Sequence, residues 1–429
     1  MPETDVATRN NPQVSLMAEN LIGSEIIKLA AEIHEKIKNG ERIFNYTIGD
    51  FDPAVFPIPK ELNEEIIRAY NEKHTNYPAA NGIVELRKAV AEFLKEREGL
   101  EYHADEILIS GGARPLIYAT FVTLLNAGDH VIVPVPSWNN NHYCHLTGAR
   151  PVYIETRPEN DFMPLAEEVR PHLKDATLLA LCSPLNPTGT VFKKEQLEKI
   201  CDMVIEENLR RGPDEKPLYL MYDQVYWVLT YGETTHFNPV SLRPEMKKYT
   251  LFIDGISKSL AATGVRVGWA FGPRMLIDKM KAILSHVGSW APKAEQIATA
   301  RYLSRKEDVN SFLERFKGEI DERLVKFYQG FIELKKAGYD VDAIAPQAAI
   351  YLTVKLNLAG KKTKNGNVLN TQSDVTRYIL DTAKVAIVPF SAFGSSEHSP
   401  WYRLSVGTCN TDEISEVFSS LKKVLGELS

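Results

Sequence analysis

Apolar residues recur along this chain with two distinct periods. In 60–73 (KELNEEIIRAYNEK) and 83–98 (IVELRKAVAEFLKERE) they return every three or four positions, as at Ile83, Leu86, Val90 and Leu94, which predicts amphipathic helices. Segment 193–208 (KKEQLEKICDMVIEEN) reads the same way. Short, nearly continuous apolar runs occupy 106–110, 130–136, 151–155, 177–184, 218–223, 250–254 and 267–272. Several are apolar at both alternating positions, the pattern of strands covered on two faces, and helical segments separate many of them. The prediction is an α/β fold with a mostly parallel central sheet and helices on both faces.

After about residue 273 longer helical stretches take over. They are followed by the strand-like AIYLTVKL, VAIVPF and YRLSV and by a last helix in TDEISEVFSSLKKVLGEL, which predicts a second, smaller α+β domain. Segment 360–370 (GKKTKNGNVLN) reads as a polar surface loop.

Composition narrows the possible partners. The 429 residues are 44% apolar and 25% charged, an ordinary globular mixture, and the net charge of −6 comes with no long basic run. Nucleic-acid and polybasic membrane surfaces are disfavoured, which leaves small-molecule chemistry. Cys144, Cys182, Cys201 and Cys409 form no C-x-x-C pair, so neither a metal site nor a disulfide framework is expected. The first twenty residues lack a basic segment followed by an apolar core, and no stretch approaches the length of a membrane span. The expectation is a cytoplasmic protein without membrane contact.

In open α/β sheets, ligands meet the loops beyond the strand ends. ILISGGARPLIY predicts a strand, a tight turn at Gly111 and Gly112, and a helix whose first amides suit a phosphate, or simply a ligand-free turn. LYLMYDQVYW ends a buried run on Asp223, a carboxylate suited to a cationic ring nitrogen or to capping a helix. In SPLNPTG two X-Pro bonds flank Asn186, and one cis bond there would fix its side chain. GISKSLAATGVRVG sets Lys258 among small and apolar neighbours after a buried strand. Desolvation there lowers an amine's pKa toward Schiff-base chemistry, while Arg266 offers a planar fork for phosphate; a plain salt bridge is the alternative.

Together these segments resemble the class I aminotransferases of pyridoxal phosphate fold type I, especially the prokaryotic aspartate aminotransferases. The resemblance runs over nearly the whole chain after the first ~40 residues, with the motifs in family order. It implies pyridoxal 5′-phosphate as cofactor, held covalently by Lys258 in GISKS, with Ser257 beside it and Arg266 in TGVRVG on the phosphate. By the same resemblance Gly112 and Ala113 supply phosphate-binding amides, and Trp138 in PSW stacks on the ring. Asn186 and Tyr226 bond the phenolic oxygen, and Asp223 partners the pyridine nitrogen. Tyr77 in NYPAANGIVELR would reach the phosphate of a neighbouring subunit, implying a homodimer with shared sites. Arg403 in WYRLSVG would clamp the substrate α-carboxylate, with Gly49 of TIGDFDP lining that pocket and Trp138 and Asn186 also facing substrate. The large domain would span 51–300, and 1–50 with 301–429 would form the small one.

The resemblance implies a ping-pong transfer of an amino group from an L-amino acid to a 2-oxo acid such as 2-oxoglutarate. Lys258, Asp223 and Tyr226 would be its catalytic residues. Some positions depart from the family pattern: Gly255 stands where many relatives carry a hydroxyl, Gln224 follows Asp223, and Leu185 precedes Asn186. Ala113 stands where some relatives have a lysine for a side-chain carboxylate, so aromatic or other neutral amino acids are an alternative to aspartate, with Arg114 adjacent. A lyase or decarboxylase on the same fold is a further alternative, because the bond held perpendicular to the ring decides which one breaks. In SWNNNHYCH, 137–145, Asn141 or His142 is a candidate for the substrate pocket, or for an ordinary helix surface.

Overall fold

The computed structural model describes residues 13–21, 23, 25–138 and 140–429. The seven central apolar runs form one sheet. Its strands are β1 (Ile107–Ser110), β2 (His130–Val135), β3 (Arg150–Glu155), β4 (Ala176–Cys182), β5 (Tyr219–Asp223), β6 (Thr250–Gly255) and β7 (Gly268–Phe271), in the order β1-β7-β6-β5-β4-β2-β3. All neighbours are parallel except that β7 runs antiparallel to both β1 and β6. Alternate residues enter two separate cores: Leu108, Val131, Val133, Met221 and Ile253 pack on one side, and Ile109, Ile132, Leu179, Leu220 and Phe252 on the other. Each such side chain contributes about 1.5–3 kcal/mol by leaving water, which is why these runs carry almost no polar residue.

The direction of β7 matters for function. Parallel strands bring their carboxyl ends to one edge, and the backward β7 brings its amino end there too. Arg266, two residues before β7, therefore arrives where 111–113, 136–138, 183–186 and 223–226 emerge, and where 256–258 begins the one-turn helix Ile256–Ser259.

A smaller antiparallel sheet follows, with β8 (Val341–Ala343), β9 (Tyr351–Leu356), β10 (Val388–Pro389) and β11 (Trp401–Ser405) in the order β10-β11-β9-β8. Arg403 of β11 lies opposite Thr353 of β9 and Val388 of β10. The long helix Lys306–Lys336 packs on β8 and β9, and a parallel pair joins Phe44–Asn45 to Val385–Ala386. The predicted helices appear as Lys60–Asn71, Val84–Glu98, Lys194–Arg211 and Ile414–Leu425.

Gly255 has a packing reason. It pairs with Gly268 across β6 and β7, and a Cβ at 255 would stand 2.7 Å from the Gly268 Cα and 2.9 Å from the Val267 carbonyl oxygen. A Cβ at Gly268 would in turn stand 2.6 Å from the Gly112 carbonyl carbon. Three glycine backbones thus stack and bring the end of β6, the start of β7 and the turn after β1 together. Backbone cannot retreat as a flexible side chain can, so Gly255→Ser should cost about 1–3 kcal/mol, read as a lower urea midpoint at unchanged slope. A midpoint equal to the parent's would contradict this packing account.

Candidate active site

Lys258 sits in the single helical turn after β6, and its Nζ donates to the Gly49 carbonyl. Burial pushes its ammonium down to about 8; Asp50 opposes this, and Arg403, Arg114 and Arg266 add to it. Three guanidinium groups therefore act on one desolvated amine. Such an amine is partly neutral near neutral pH, as a nucleophile or base requires.

Asp223 ends β5 beside it. Burial raises its carboxyl to about 6, and among the described residues the only hydrogen bond to that carboxylate is the Val225 N–H at 3.2 Å. Among the described residues it has no salt-bridge partner, which leaves it open to a cationic group of a bound ligand. Tyr226, three residues on, places its hydroxyl 2.6 Å from that of Tyr351 on β9.

The SPLNPTG loop leaves β4 with a cis Ser183–Pro184 bond. Asn186 at its tip accepts from Arg403 Nη1 at 3.0 Å through Oδ1, which leaves the amide NH₂ free to donate elsewhere. Arg403 is 1% exposed and also donates to the Thr47 carbonyl at 2.6 Å. The rings of Tyr351 and Phe393 lie 4.7 and 4.9 Å from its guanidinium carbon, and its Nε has no hydrogen-bond partner among the described residues. Gly49 must lack a side chain here: a Cβ would stand 2.8 Å from the Tyr351 hydroxyl and 3.5 Å from Arg403 Nη1.

An anion cradle lies across the same edge. Gly112, with φ of 93°, precedes helix Ala113–Leu124, and no side chain caps that helix. A Cβ at Gly112 would collide with the Arg266 guanidinium. Arg266, itself at φ 62°, donates to the carbonyls of Thr263 and Gly111, each at 2.7 Å, and pairs with no carboxylate among the described residues. First-turn amides beside an unpaired guanidinium suit a phosphate. Ser257 stands half-buried next to Lys258, its hydroxyl without a hydrogen bond among the described residues.

Trp138 is half-buried after β2, with the Arg114 guanidinium carbon 5.5 Å from its ring centre. Tyr77 is 81% exposed and meets Trp290 edge-on at 5.3 Å. Trp290 follows Ser289, whose carbonyl takes the Gly111 N–H. Asn141 lies on the exposed face of helix Asn140–Thr147, as the surface alternative expects, and His142 is half-buried there. Leu185 is buried. Gln224 is wholly buried and donates to Glu98 at 2.7 Å, so this departure belongs to a polar cluster behind the sheet edge.

The residues that sequence reasoning missed are Tyr351, Thr47 and Phe393. Each acts through a partner: Tyr351 bonds Tyr226, the Thr47 backbone holds Arg403, and Phe393 packs on it. Tyr351 was visible only as one apolar position of a strand. A carbonyl used as an acceptor leaves no trace in residue identity at all.

With this geometry in view, comparison with known proteins is decisive for the class. Residues 42–421 match the family model "Aminotransferase class I and II". The aspartate aminotransferase of Bacillus subtilis is similar at 29% identity over 94% of this chain and 96% of its own length. The crystal structure of the aspartate aminotransferase from Rhizobium meliloti superimposes with a TM-score of 0.89 at 27% identity, covering 98% of this chain and all of that one. The aromatic aminotransferase of Pyrococcus horikoshii is also similar, with a TM-score of 0.79 at 26% identity over 92% of this chain and 99% of its own. The chain belongs to the class I and II aminotransferases. It is a transaminase, an enzyme of amino-group transfer.

The raised Asp223 carboxyl has a consequence for stability. A folded pKa near 6 against an ordinary 3.8 means that its contribution is present below pH 3.8 and is lost as pH rises through 6. In protein stripped of small molecules, Asp223→Asn should therefore be more stable than the parent above pH 6, by on the order of 2 kcal/mol, and the gap should close toward pH 4. Urea midpoints across that range measure it; a gap independent of pH would contradict the assignment.

Proposed function

We propose that this chain is an aspartate aminotransferase-like enzyme that uses pyridoxal 5′-phosphate to move an amino group from an L-amino acid to a 2-oxo acid such as 2-oxoglutarate. One observation carries the reading: a lysine lowered to about 8 shares the sheet edge with a half-buried carboxylate at about 6 that has no salt-bridge partner among the described residues. The cofactor's donor and acceptor set fits that edge. Its phosphate matches the uncapped helix start beside Arg266, and its ring nitrogen matches Asp223.

When bound, the cofactor's ring takes up the electrons released as a bond at the substrate Cα breaks. The chain's own residues do the rest. The amides of Gly112 and Ala113, the Ser257 hydroxyl and Arg266 hold the phosphate, with Tyr77 contributed by the partner of a homodimer. Asp223 keeps the ring nitrogen protonated. The free amide NH₂ of Asn186 and the Tyr226 hydroxyl donate to the phenolic oxygen, and Trp138 covers the ring. Lys258 would hold the cofactor covalently, and its free amine would take the proton from the substrate Cα as base and deliver it, as acid, to the cofactor carbon bonded to the amino nitrogen rather than back to Cα. Arg403, stiffened by Asn186, Thr47 and two aromatic rings, fixes the α-carboxylate above Gly49, so that the Cα–H bond can stand perpendicular to the ring.

Aspartate carries a second carboxylate, and Arg114 is the cation available for it. It lies over Trp138, acts on Lys258 by its charge, and pairs with no carboxylate among the described residues. This supports dicarboxylic substrates over aromatic or neutral ones. The large domain is assigned to 51–300 and the small one to 1–50 with 301–429, of which residues 1–12, 22 and 24 lie outside the described ones; the seven-stranded sheet within the first and the four-stranded sheet within the second support this, and four free cysteines suit a reducing cytoplasm. Among the described residues no helix is long and apolar enough to cross a membrane.

Borohydride reduction followed by peptide mapping should label Lys258, and a label on another lysine would falsify this reading. Amino donors tested against 2-oxoglutarate should yield glutamate; ammonia or CO₂ released without amino transfer would mean lyase or decarboxylase chemistry instead. Arg114→Gln should lower kcat/KM for aspartate by roughly 10–100-fold while sparing phenylalanine. An equal loss for both donors would remove Arg114 from side-chain recognition.

A further inference from the structure

Behind the sheet edge lies a second cavity, of about 880 Å³, between the carboxyl end of helix Val84–Glu98, the segment after β5 and the amino half of helix Lys306–Lys336. That volume falls within the roughly 300–1,000 Å³ typical of small-molecule sites. None of the residues assigned above to cofactor or substrate lines it.

Its walls combine three kinds of chemistry. Arg97 and Lys317 are its cations, and neither has a salt-bridge partner among the described residues, although Arg97 donates to Asn310 and Asp321 acts on Lys317 from a distance. Arg97 is exposed and Lys317 half-buried. Desolvation lowers the pKa of both and Arg97 lowers that of Lys317 further, while Glu96 and Asp321 offset only part of this, so two like charges share one cavity wall. Glu314 also lines the cavity, exposed. Trp227, Val228, Phe237 and Leu313 supply an apolar wall.

Deeper in, the wall is polar but uncharged. Burial drives His236 down to about 3 and Glu98 up to about 8, so both are neutral at pH 7. The His236 side chain is 6% exposed and, among the described residues, neither ring nitrogen has a hydrogen-bond partner; Glu98 Oε1 stands 3.6 Å from Nε2. Buried polar atoms left without partners are uncommon in folded proteins, and here they sit in a cavity wall opposite unpaired cations.

We propose that this cavity is a binding site for a small organic carboxylate with an apolar or aromatic body. The carboxylate lies against Arg97 and Lys317, the body against Trp227 and Leu313, and the far end toward His236. An anion relieves the repulsion between the two cations. A purely inorganic anion would leave the apolar wall unused, and a polycation is excluded by the same two charges.

The test is calorimetric titration of the holoenzyme with 3-phenylpropionate. The parent should bind with a Kd of about 0.1–1 mM. The double variant R97Q/K317Q should bind at least about tenfold more weakly with its transamination rate unchanged, as expected when an ion pair to the ligand is lost. Leu313→Trp, which fills the cavity while keeping both cations, should weaken binding as well. Binding equal to the parent's in both variants, binding abolished only by Arg403→Gln, or no heat up to about 10 mM would each overturn the proposal.

Discussion

Everything at the candidate site depends on burying an amine next to like charges. Removing the Lys258 ammonium from water costs free energy, and Arg403, Arg114 and Arg266 raise that cost by their own charge. Only the surrounding fold can hold such an arrangement. The Gly49 carbonyl receives the amine, Asp50 offsets part of the repulsion, and the stacked glycines 255, 268 and 112 set how closely the strands meet. The unfavourable charge state is what would make the amine useful in the proposed reaction. A lysine left in water would stay protonated at neutral pH and could neither attack a carbonyl nor accept a proton from carbon.

The same reasoning links the two sheets. The central sheet supplies Lys258, Asp223, Asn186 and the anion cradle, while the smaller sheet supplies Arg403 and Tyr351. Hydrogen bonds from Arg403 to Asn186 and between Tyr226 and Tyr351 tie them. The residue proposed to fix a substrate's carboxylate is thereby registered against the residues proposed to act at its Cα. Precision of this kind comes from rigid elements, because Arg403 sits inside a strand with both neighbours paired rather than on a free loop.

Much of this was legible before any coordinates. Six of the seven strands stood out because they are buried on both faces and so carry almost no polar residue, the edge strand Arg150–Glu155 being the exception; Lys258 and Asp223 stood out because they interrupt that rule at a strand end. The three-residue strand Val341–Ala343 was not legible, since two of its positions are only half-buried and a run so short carries no period. Tyr351 and the Thr47 carbonyl were hidden because their roles arise from contacts across more than a hundred residues of sequence. Gly255 was visible as a departure, but its cause, backbone against backbone at Gly268, is a matter of distance alone. Arg114 could be flagged as adjacent to the anion cradle, and only the fold brings it over Trp138.

The central claim is the depressed basicity of Lys258, and the most direct measurement is an NMR titration of its side-chain nitrogen in protein stripped of small molecules, assigned by comparison with Lys258→Gln. The account predicts a midpoint near 8. A midpoint at the ordinary lysine value of about 10.4 would contradict it, because desolvation and the three arginines would then have no effect on the amine they surround.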